Sequence, residues 1–414
     1  MKELVIQQFW DAKMVFRKQL KTTQNQSIII LNFGKLNHAQ GPDFLEAEVE
    51  IDGVRNYGAV EIHVNASDWF KHKHESDEKY TSVILHVVWN NDKNATDKSG
   101  RILPVLELQN YFAKKELQNL QIINTLNGEF PCQQFQNKVL LSDKYQQLTF
   151  AQSERLNRKA EEVIINHHKY KGDWQKTIMV QIAKYWVDAQ NRESMIWLAE
   201  HSELNRMQRF SHHEMLAYWL GRSQLKLDNQ VIKSKEAKLI ETYVFLQRKF
   251  DIETPKLNWY FGKIRPNAFP NIRLWQWAQW LSKNECNLSN WLELSSYEAL
   301  VEALSTSSEW INPKTQEPEI IINGMQHIQQ LIINAVVPIW LAYGKLHHNQ
   351  SFADHGIQIL ERISPETNHI TRKMNWLNIM NYSAKNSQQL MAQYDHYCKP
   401  KKCLECMIGQ TILR

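Results

Sequence analysis

The hydrophobic pattern of this chain changes its period once, between residues 130 and 146. Before that point, short runs rich in β-branched residues are bounded by Gly, Asn and Asp, and these runs predict β-strands at 28–33, 45–51, 59–64 and 83–89. After it, apolar residues recur at helical spacing, for example at 156–167, 174–188, 213–220, 237–250, 272–282 and 328–343. The pattern predicts an α+β protein in which a mixed sheet comes first and a larger all-helical part follows.

Chain length indicates how many domains to expect. With 414 residues the chain exceeds the usual size of a single hydrophobic core. We predict a sheet-containing domain at 1–135, a helical domain at 136–390 and a cysteine-containing segment at 391–414. The helical patterns show no fixed repeat, which favours an irregular bundle over a solenoid.

Charge and hydropathy narrow the range of partners only slightly. The 49 basic and 44 acidic residues give a net charge of +5, which neither requires nor excludes a nucleic-acid partner. No apolar run approaches the roughly 20 residues needed to span a bilayer. The opening sequence MKELVIQQFW also lacks the features of a signal peptide. We therefore expect a cytoplasmic protein without a membrane partner.

Potential metal ligands are concentrated between residues 41 and 74. Side chains alternate between the two faces of a strand, so Glu61 and His63 are predicted to share one face of the strand at 59–64. Asp43 comes just before the preceding strand, and Asp52-Gly53 is typical of a turn that joins two strands in a hairpin. Asp43, Glu61 and His63 are therefore predicted to converge.

This order of residues resembles the PD-(D/E)xK nuclease fold, in which an acidic residue opens the second strand and an acid-x-lysine lies on the third. The resemblance implies that Asp43 and Glu61 hold a divalent metal such as Mg²⁺, which stabilises charge on the phosphate. His63 stands where the fold has its lysine, and neutral imidazole is able to act as a base or to bind a softer metal. The very-short-patch mismatch endonucleases, a histidine-using branch of that fold, are similar here, and their Trp and histidines correspond to Trp69, His72 and His74.

The leading hypothesis is a metal-dependent nuclease, with nucleic acid as its substrate. Asp43, Glu61 and His63 would carry the catalysis, with Trp69, His72 and His74 in support. Two alternatives stay open. One is a catalytically inactive nucleic-acid-binding or scaffold protein on the same fold, and the other is a metal-dependent hydrolase of a small substrate.

The same residues also permit a purely structural interpretation. Glu61 and His63 would then face solvent on a half-exposed strand, and Asp43 would be a turn residue after a proline. His86, on the next predicted strand, is more typical of a hydrogen-bonded core histidine than of a ligand.

A second resemblance covers nearly the whole chain. The succession GPDFLEAEV, GAVEIH, SDWFKHKH and VILHVV, at 41–49, 58–63, 67–74 and 83–88, resembles the bacterial family known as domain of unknown function 2851. Further matches are FPC at 130–132, FPNIRL at 269–274, YC at 397–398 and CLECMIG at 403–409. This resemblance implies a family but no activity.

Two arginines accompany a proline-containing segment in the helical half. Pro266 and Pro270 restrict the backbone ahead of a helix that is predicted to begin near Pro270. The guanidinium groups of Arg265 and Arg273 are candidates for contacts to phosphate or to carboxylates of the first domain. At a domain junction, a structural role for arginine is the more common alternative.

The chain has five cysteines, too few for a disulfide framework at this length, and their clustering points to metal or redox use. Cys403 and Cys406 have the spacing with which two thiolates grip one tetrahedral zinc ion, and Cys398 lies close enough to add a third. Cys132 and His396 are the candidates for the fourth ligand.

The cysteine pattern is similar in concept to helicase-associated and CRISPR-associated nucleases, in which cysteines that flank a PD-(D/E)xK core hold an iron–sulfur cluster. That resemblance makes an iron–sulfur cluster an alternative to zinc. The order differs, however, because Cys132 follows the predicted catalytic residues instead of preceding them. The plain alternative is a set of reduced thiols on a basic segment, and Cys286 shows no neighbouring ligand in the sequence.

Overall fold

The structure, a computed structural model, describes residues 3–11, 13, 15, 19–37, 39–112, 129–225, 233–294, 296–311, 318–403 and 405–413. The chain forms two compact units. The first comprises Met1–Ala151, His369–Ile379 and Gln389–Arg414, and the second comprises Gln152–Asn368 and Met380–Gln388. The units therefore differ from the segments predicted with boundaries at 135 and 390, and the cysteine-containing segment belongs to the first unit.

The first unit is built on a mixed seven-stranded sheet with the order β1-β2-β4-β5-β6-β7, in which β3 pairs with β4. The pairs from β1 to β5 are antiparallel, whereas β5–β6 and β6–β7 are parallel. The elements are α1 (Glu3–Asp11), β1 (Leu20–Lys21), β2 (Ser27–Asn32), β3 (Lys35–Leu36), β4 (Phe44–Ile51), β5 (Val54–Asn65), α2 (Asp68–Lys71), β6 (Val83–Asn90) and β7 (Val105–Glu107).

The hairpin between β4 and β5 confirms the turn predicted at Asp52-Gly53. Ile51 pairs with Val54, and Asp52 and Gly53 both have positive φ, 48° and 81°. Positive φ at both central residues defines the type I′ turn, whose twist matches that of the two strands. The turn therefore sets the register that carries β5 back beside β4.

One face of the sheet forms the apolar core of the first unit. Val60 and Ile62 of β5 are fully buried there with Leu85 and Val87 of β6. The apolar face of α1 joins the same core, with Ile6, Phe9 and Trp10 fully buried. Because side chains alternate, the residues between these positions on β5 and β6 point to the opposite face.

The rest of the first unit comes from the segments that follow the sheet in the chain. Its helices include the α-helix Met407–Leu413, the short α-helix His369–Lys373 and the π-helical turn Tyr394–Cys398. This part also contains the 3₁₀ helices Gln109–Tyr111, Gln133–Lys138 and Met374–Leu377. Two α-helices, Leu141–Lys169 and Ala384–Gln393, pass from one unit into the other along the chain.

The second unit is mainly helical, as the sequence predicts. Its largest buried side chains include Trp186, Trp219, Trp277, Trp280 and Trp340, so these tryptophans fill the core. The helices are Trp174–Trp186, Arg192–Glu200, Leu204–Met207, His212–Ser223, Lys233–Phe250, Pro270–Lys283, Tyr297–Leu304, Met325–Leu331, Val337–Leu346 and Ser351–Arg362, with a π-helical turn at Ile332–Val336.

The prediction of an all-helical second part is wrong at one place. Strands β8 (Ser307–Ile311) and β9 (Pro318–Ile322) form an antiparallel pair. The amide of Gln276, on the helix Pro270–Lys283, donates a hydrogen bond to the carbonyl of Ile321 at 3.1 Å. Five-residue strands give a weak periodic signal, and the neighbouring helix stabilises this pair through a contact that the sequence does not reveal. In the part of the chain that the structure describes, no helix has the length and apolar character of a membrane span.

Candidate functional site

The face of β5 opposite the apolar core carries two polar side chains that are almost inaccessible to solvent. Glu61 is 5% exposed and His63 is 1% exposed. In the parallel register of β5 and β6, Glu61 pairs with His86. The predicted common face of Glu61 and His63 is confirmed, and the interpretation that they face solvent is wrong, because α2 and the segment after it cover them.

Asp43, the residue directly before β4, also lies at this face of the sheet. Its backbone N–H donates to Glu61 Oε2 at 3.0 Å, and the backbone N–H of Ile62 donates to Asp43 Oδ2 at 3.0 Å. The amide of Gln7, on α1, donates to Asp43 Oδ1 at 2.8 Å. Burial, followed by the negative charge of Glu61, raises the pKa of Asp43 to about 7. Asp43 therefore changes protonation state near neutral pH.

A short helix and a left-handed residue bring two more histidines to the same place. His72 directly follows helix α2, and Lys73 comes next with a φ of 62°, which turns the chain so that His74 also faces Glu61. His63 Nε2 lies 3.1 Å from His72 Nδ1, and Glu61 Oε1 lies 3.4 Å from His74 Nε2 and 3.6 Å from His63 Nε2. The predicted convergence of Glu61 and His63 thus extends to both histidines after α2.

These distances fit one metal ion. One ligand nitrogen from each of His63, His72 and His74 lies within 4.8 Å of the others. In a tetrahedral site with ligands at about 2.1 Å, neighbouring ligand atoms are about 3.4 Å apart, close to the separations of His63 from His72, of Glu61 from His74 and of Glu61 from His63. The three imidazole nitrogens are therefore spaced as ligands of a single ion would be, and the Glu61 carboxylate lies beside two of them.

A contact with His86 fixes the orientation of the His63 ring. His86 Nε2 lies 2.9 Å from His63 Nδ1, and the His86 ring is fully buried. If His63 Nε2 offers its lone pair to a metal, the proton of its neutral ring is on Nδ1 and is donated to His86. Among the described residues, His86 Nδ1 has no hydrogen-bond partner. His86 is thus a buried core histidine, as the sequence indicates, but only one of its ring nitrogens is hydrogen-bonded.

Aromatic rings pack around the histidines. The Trp69 ring is fully buried, and its Nε1–H donates to the carbonyl of Thr96 at 3.0 Å. The ring of Tyr80 stacks on that of His74 with 3.7 Å between centroids. Burial, followed by the charge of Glu61, raises the pKa of Tyr80 to about 12. This packing restricts the orientation of His74 and excludes water from one side of the site.

Six residues predicted from the sequence thus come together, and four that the predictions missed join them. The missed residues are Gln7, His86, Tyr80 and Glu3, whose pKa is raised chiefly by burial and responds to the charges of His72 and Glu61. Glu3 and Gln7 are four residues apart and lie on one face of α1, but this spacing gives no sign of a link to β5.

The two arginines predicted as phosphate contacts belong to the second unit. Arg273 is 9% exposed, and its guanidinium donates to Gln276 Oε1 at 2.9 Å and to His327 Nδ1 at 3.1 Å. Arg265 is exposed and precedes the 3₁₀ helix Pro266–Ala268. The contacts of Arg273 are those of a structural residue, and a phosphate contact by Arg265 stays a prediction.

Residues 3–369 match the family described as protein of unknown function (DUF2851), and the chain belongs to that family. The resemblance to this family is therefore confirmed. No curated protein and no solved structure matches the chain. The resemblance to the PD-(D/E)xK fold stays a prediction.

The buried histidine pair predicts that the first unit is sensitive to acid. Burial, and next the neighbouring imidazoles, lower the pKa of His63 to about 2 and that of His86 to about 3, from an ordinary value of 6.5. Between the lowered pKa values and pH 6.5, the unfolded chain binds more protons than the folded chain does. The stability that the neutral histidines contribute is therefore fully present above pH 6.5 and is lost as the pH falls. Each histidine contributes about 1.4 kcal/mol per pH unit to the slope of the free energy of unfolding against pH.

We expect denaturant titrations of the chelator-treated protein to show this loss below about pH 6.5. His86→Phe removes one titrating ring and should lower the slope by about 1.4 kcal/mol per pH unit. His212→Asn, at an exposed position of the second unit, serves as the control and should leave the slope unchanged. A free energy of unfolding that is constant down to about pH 5 would contradict the neutral, buried state of the pair.

Proposed function

We propose that the chain is a metal-dependent phosphodiesterase that cleaves nucleic acid, with His63, His72, His74 and Glu61 as the ligands of its metal ion. One observation carries the proposal: three imidazole nitrogens and a carboxylate oxygen converge beside Asp43, whose pKa is about 7. A metal set next to a group that exchanges protons near neutral pH is a recurrent arrangement for hydrolysis.

The donor set favours zinc or another transition metal over Mg²⁺, which prefers oxygen ligands. The sequence predicts Asp43 and Glu61 as ligands for Mg²⁺, but both Asp43 oxygens already accept hydrogen bonds, from Gln7 and from the N–H of Ile62. We therefore assign Asp43 to proton transfer. When bound, the ion supplies Lewis-acid stabilisation of the charge that develops on a phosphoryl group.

The chain's own residues would prepare this chemistry. With its pKa near neutral pH, the Asp43 carboxylate is suited to accept a proton from an attacking water. Gln7 and the Ile62 N–H fix its two oxygens, which lowers the cost of orienting the base. His86 keeps the ring of His63 in one orientation, so that its Nε2 faces His72 and Glu61.

Element order supports nucleic acid as the substrate. Helix α1, the antiparallel strands β2, β4 and β5, helix α2 and the parallel strand β6 follow one another, with only two-residue strands added. Asp43 precedes the second of these strands and Glu61-Ile62-His63 lies on the third, the positions that the nuclease resemblance implies.

The proposal predicts metal-dependent cleavage that requires Asp43. We expect the full chain loaded with Zn²⁺ or Mn²⁺ to cut labelled single-stranded DNA, double-stranded DNA or RNA, and we expect a chelator to stop the reaction. Asp43→Asn has the shape of aspartate and keeps an oxygen for the N–H of Ile62, while its NH₂ group faces Gln7, whose amide can turn over to accept it. The variant removes the proton acceptor, so the rate should fall about 100-fold or more, with metal content unchanged. Gel assays measure the cleavage rate, and elemental analysis measures the metal content.

Asp251→Asn is the matched control, because Asp251 is exposed, has a φ of 49° that asparagine tolerates, and lies in the second unit. It should cleave at the wild-type rate. Cleavage by Asp43→Asn at that rate would contradict the role given to Asp43. Failure of the metal-loaded protein to cut any of the three polymers would contradict the substrate class, and turnover of a small phosphodiester alone would then indicate a small-molecule hydrolase.

A further inference from the structure

Four of the chain's five cysteines meet in one pocket of the first unit. Cys132 directly precedes the 3₁₀ helix Gln133–Lys138, and Cys398 ends the π-helical turn Tyr394–Cys398. Cys403 and Cys406 precede the helix Met407–Leu413. All four are free thiols. Three separate stretches of chain therefore deliver sulfur atoms to the same place.

The pocket is apolar apart from one side chain. Besides the cysteines it is lined by the hydrophobic residues Phe130, Pro131, Trp376, Tyr397 and Ile408, and by the polar Gln393. The amide nitrogen of Gln393 lies 3.3 Å from Cys406 Sγ and 3.6 Å from Cys398 Sγ. Cys132 and Cys403 are joined by a hydrogen bond between their thiols. The four sulfurs thus form two pairs, one in direct contact and one bridged by an amide.

The loop after Cys403 is shaped to present Cys406 to this pocket. Burial raises the pKa of the Cys406 thiol, and hydrogen bonds from the backbone N–H groups of Gly409 and Ile408 to its sulfur act against that rise. A Cβ at Gly409 would lie 1.9 Å from the carbonyl oxygen of Cys403, so this close approach requires glycine. A backbone that donates to sulfur through a tight turn is an arrangement suited to a metal-bound thiolate.

The clustering of the four cysteines could also reflect ordinary core packing, because free cysteines are often buried among apolar residues. Cys286 illustrates that case: it is buried in the second unit, and only burial raises its pKa, to about 12. The other four differ from it in three ways. They share one pocket, two of them accept hydrogen bonds from a polar amide, and one accepts them from two backbone N–H groups.

We propose that Cys132, Cys398, Cys403 and Cys406 ligate a metal centre through four thiolates, separate from the histidine site. Both a zinc ion and an iron–sulfur cluster take four cysteine ligands. The cavity between the lining residues is about 10 Å³, close to the size of one water-sized sphere. A single ion requires the four sulfurs to move closer together around this cavity, whereas a cluster also requires the Gln393 amide to turn out of the pocket.

Such a centre would fasten the loop of Cys132 to the segment from Cys398 to Cys406, which follows it by more than half of the chain. The ionic contacts at this place are exposed and weak: Glu129 pairs with Lys373 at 2.7 Å near the surface. Metal–thiolate bonds would therefore supply a large share of the stability of this junction.

The first test is the metal content and absorption spectrum of the full chain, purified anaerobically without added metal. Beyond any metal at the histidine site, which Glu61→Gln should lack, we expect either about one equivalent of zinc without visible absorption, or iron and acid-labile sulfide with a broad visible band. Cys403→Ser and Cys398→Ser should each lose this metal, while Cys286→Ser and Glu61→Gln should retain it. Loss of metal in Cys286→Ser as well, or an unchanged content in Cys403→Ser, would overturn the ligand set.

A second measurement on wild-type protein guards against variants that do not fold. Thiol alkylation followed by mass spectrometry should show the four cysteines protected before, and modified after, treatment with a strong chelator. Cys286 should react equally in both samples. Wild-type protein with neither zinc nor iron, or thiols that a chelator does not expose, would overturn the proposal. Because the readout is metal at the cysteines, the result does not depend on phosphodiesterase activity.

Discussion

Glu61→Gln should lose the metal of the histidine site and with it nearly all cleavage activity. The amide keeps an oxygen that can accept the N–H of Asp43, as Glu61 Oε2 does at 3.0 Å. Its NH₂ group then faces His63 and His74, where the carboxylate oxygen lies 3.6 and 3.4 Å from the ring nitrogens. The glutamine puts a hydrogen-bond donor where the carboxylate was an anionic ligand, so metal affinity should fall by at least about 100-fold. Loss of a residue that only hydrogen-bonds a metal ligand lowers the affinity by up to about that factor.

Competition with a fluorescent chelator measures the affinity, and the cleavage assay measures the rate. Glu46→Gln is the matched control, because Glu46 is exposed on the neighbouring strand β4 and pairs with Lys35 at the surface. It should bind metal and cleave as the wild type does. If Glu61→Gln binds metal with wild-type affinity, the carboxylate is not a ligand, and the proposed donor set is wrong.

Gly58→Ala should destabilise the first unit severely, although it adds only one methyl group. A Cβ at Gly58 would lie 2.2 Å from the carbonyl oxygen of Ser82 and 2.6 Å from Ile84 Cγ2. The backbone oxygen cannot move freely, because it accepts the N–H of Ala59 at 2.8 Å at the start of the β5–β6 pairing. We expect a loss of about 3 kcal/mol or more in the free energy of unfolding, the upper end for overpacking.

Thermal unfolding should show this loss as a decrease of about 6 °C or more in Tm. Gly262→Ala is the control, because no atom lies within 4 Å of the Cβ it would add and its φ is not positive. It should change the free energy of unfolding by less than about 1 kcal/mol. Wild-type stability of Gly58→Ala would mean that β5 and β6 are able to separate, and that the register which places Glu61 beside His86 is not rigid.

Local patterns account for the parts of the fold that could be predicted. The alternation on β5 put Glu61 and His63 on one face, and Asp52-Gly53 marked the hairpin, because period and turn chemistry depend only on neighbours in the chain. The pair β8–β9 escaped prediction because its strands are short and are supported by Gln276 from a distant helix. The cysteine spacing indicated Cys398, Cys403 and Cys406 together, whereas Cys132 was one of two candidates for the fourth position.

By itself, the sequence determined the succession of a strand-rich part and a helical part, and the short stretch that carries Asp43, Glu61, His63, His72 and His74. Only the tertiary structure decided that Glu61, His63 and His74 are buried, that Gln7 and His86 contact Asp43 and His63, and that the pKa of Asp43 is raised to about 7. The physical reason is that burial and sheet register arise from contacts between residues far apart in the chain. Those contacts set the protonation state of each group, and a pattern of residue types does not specify them.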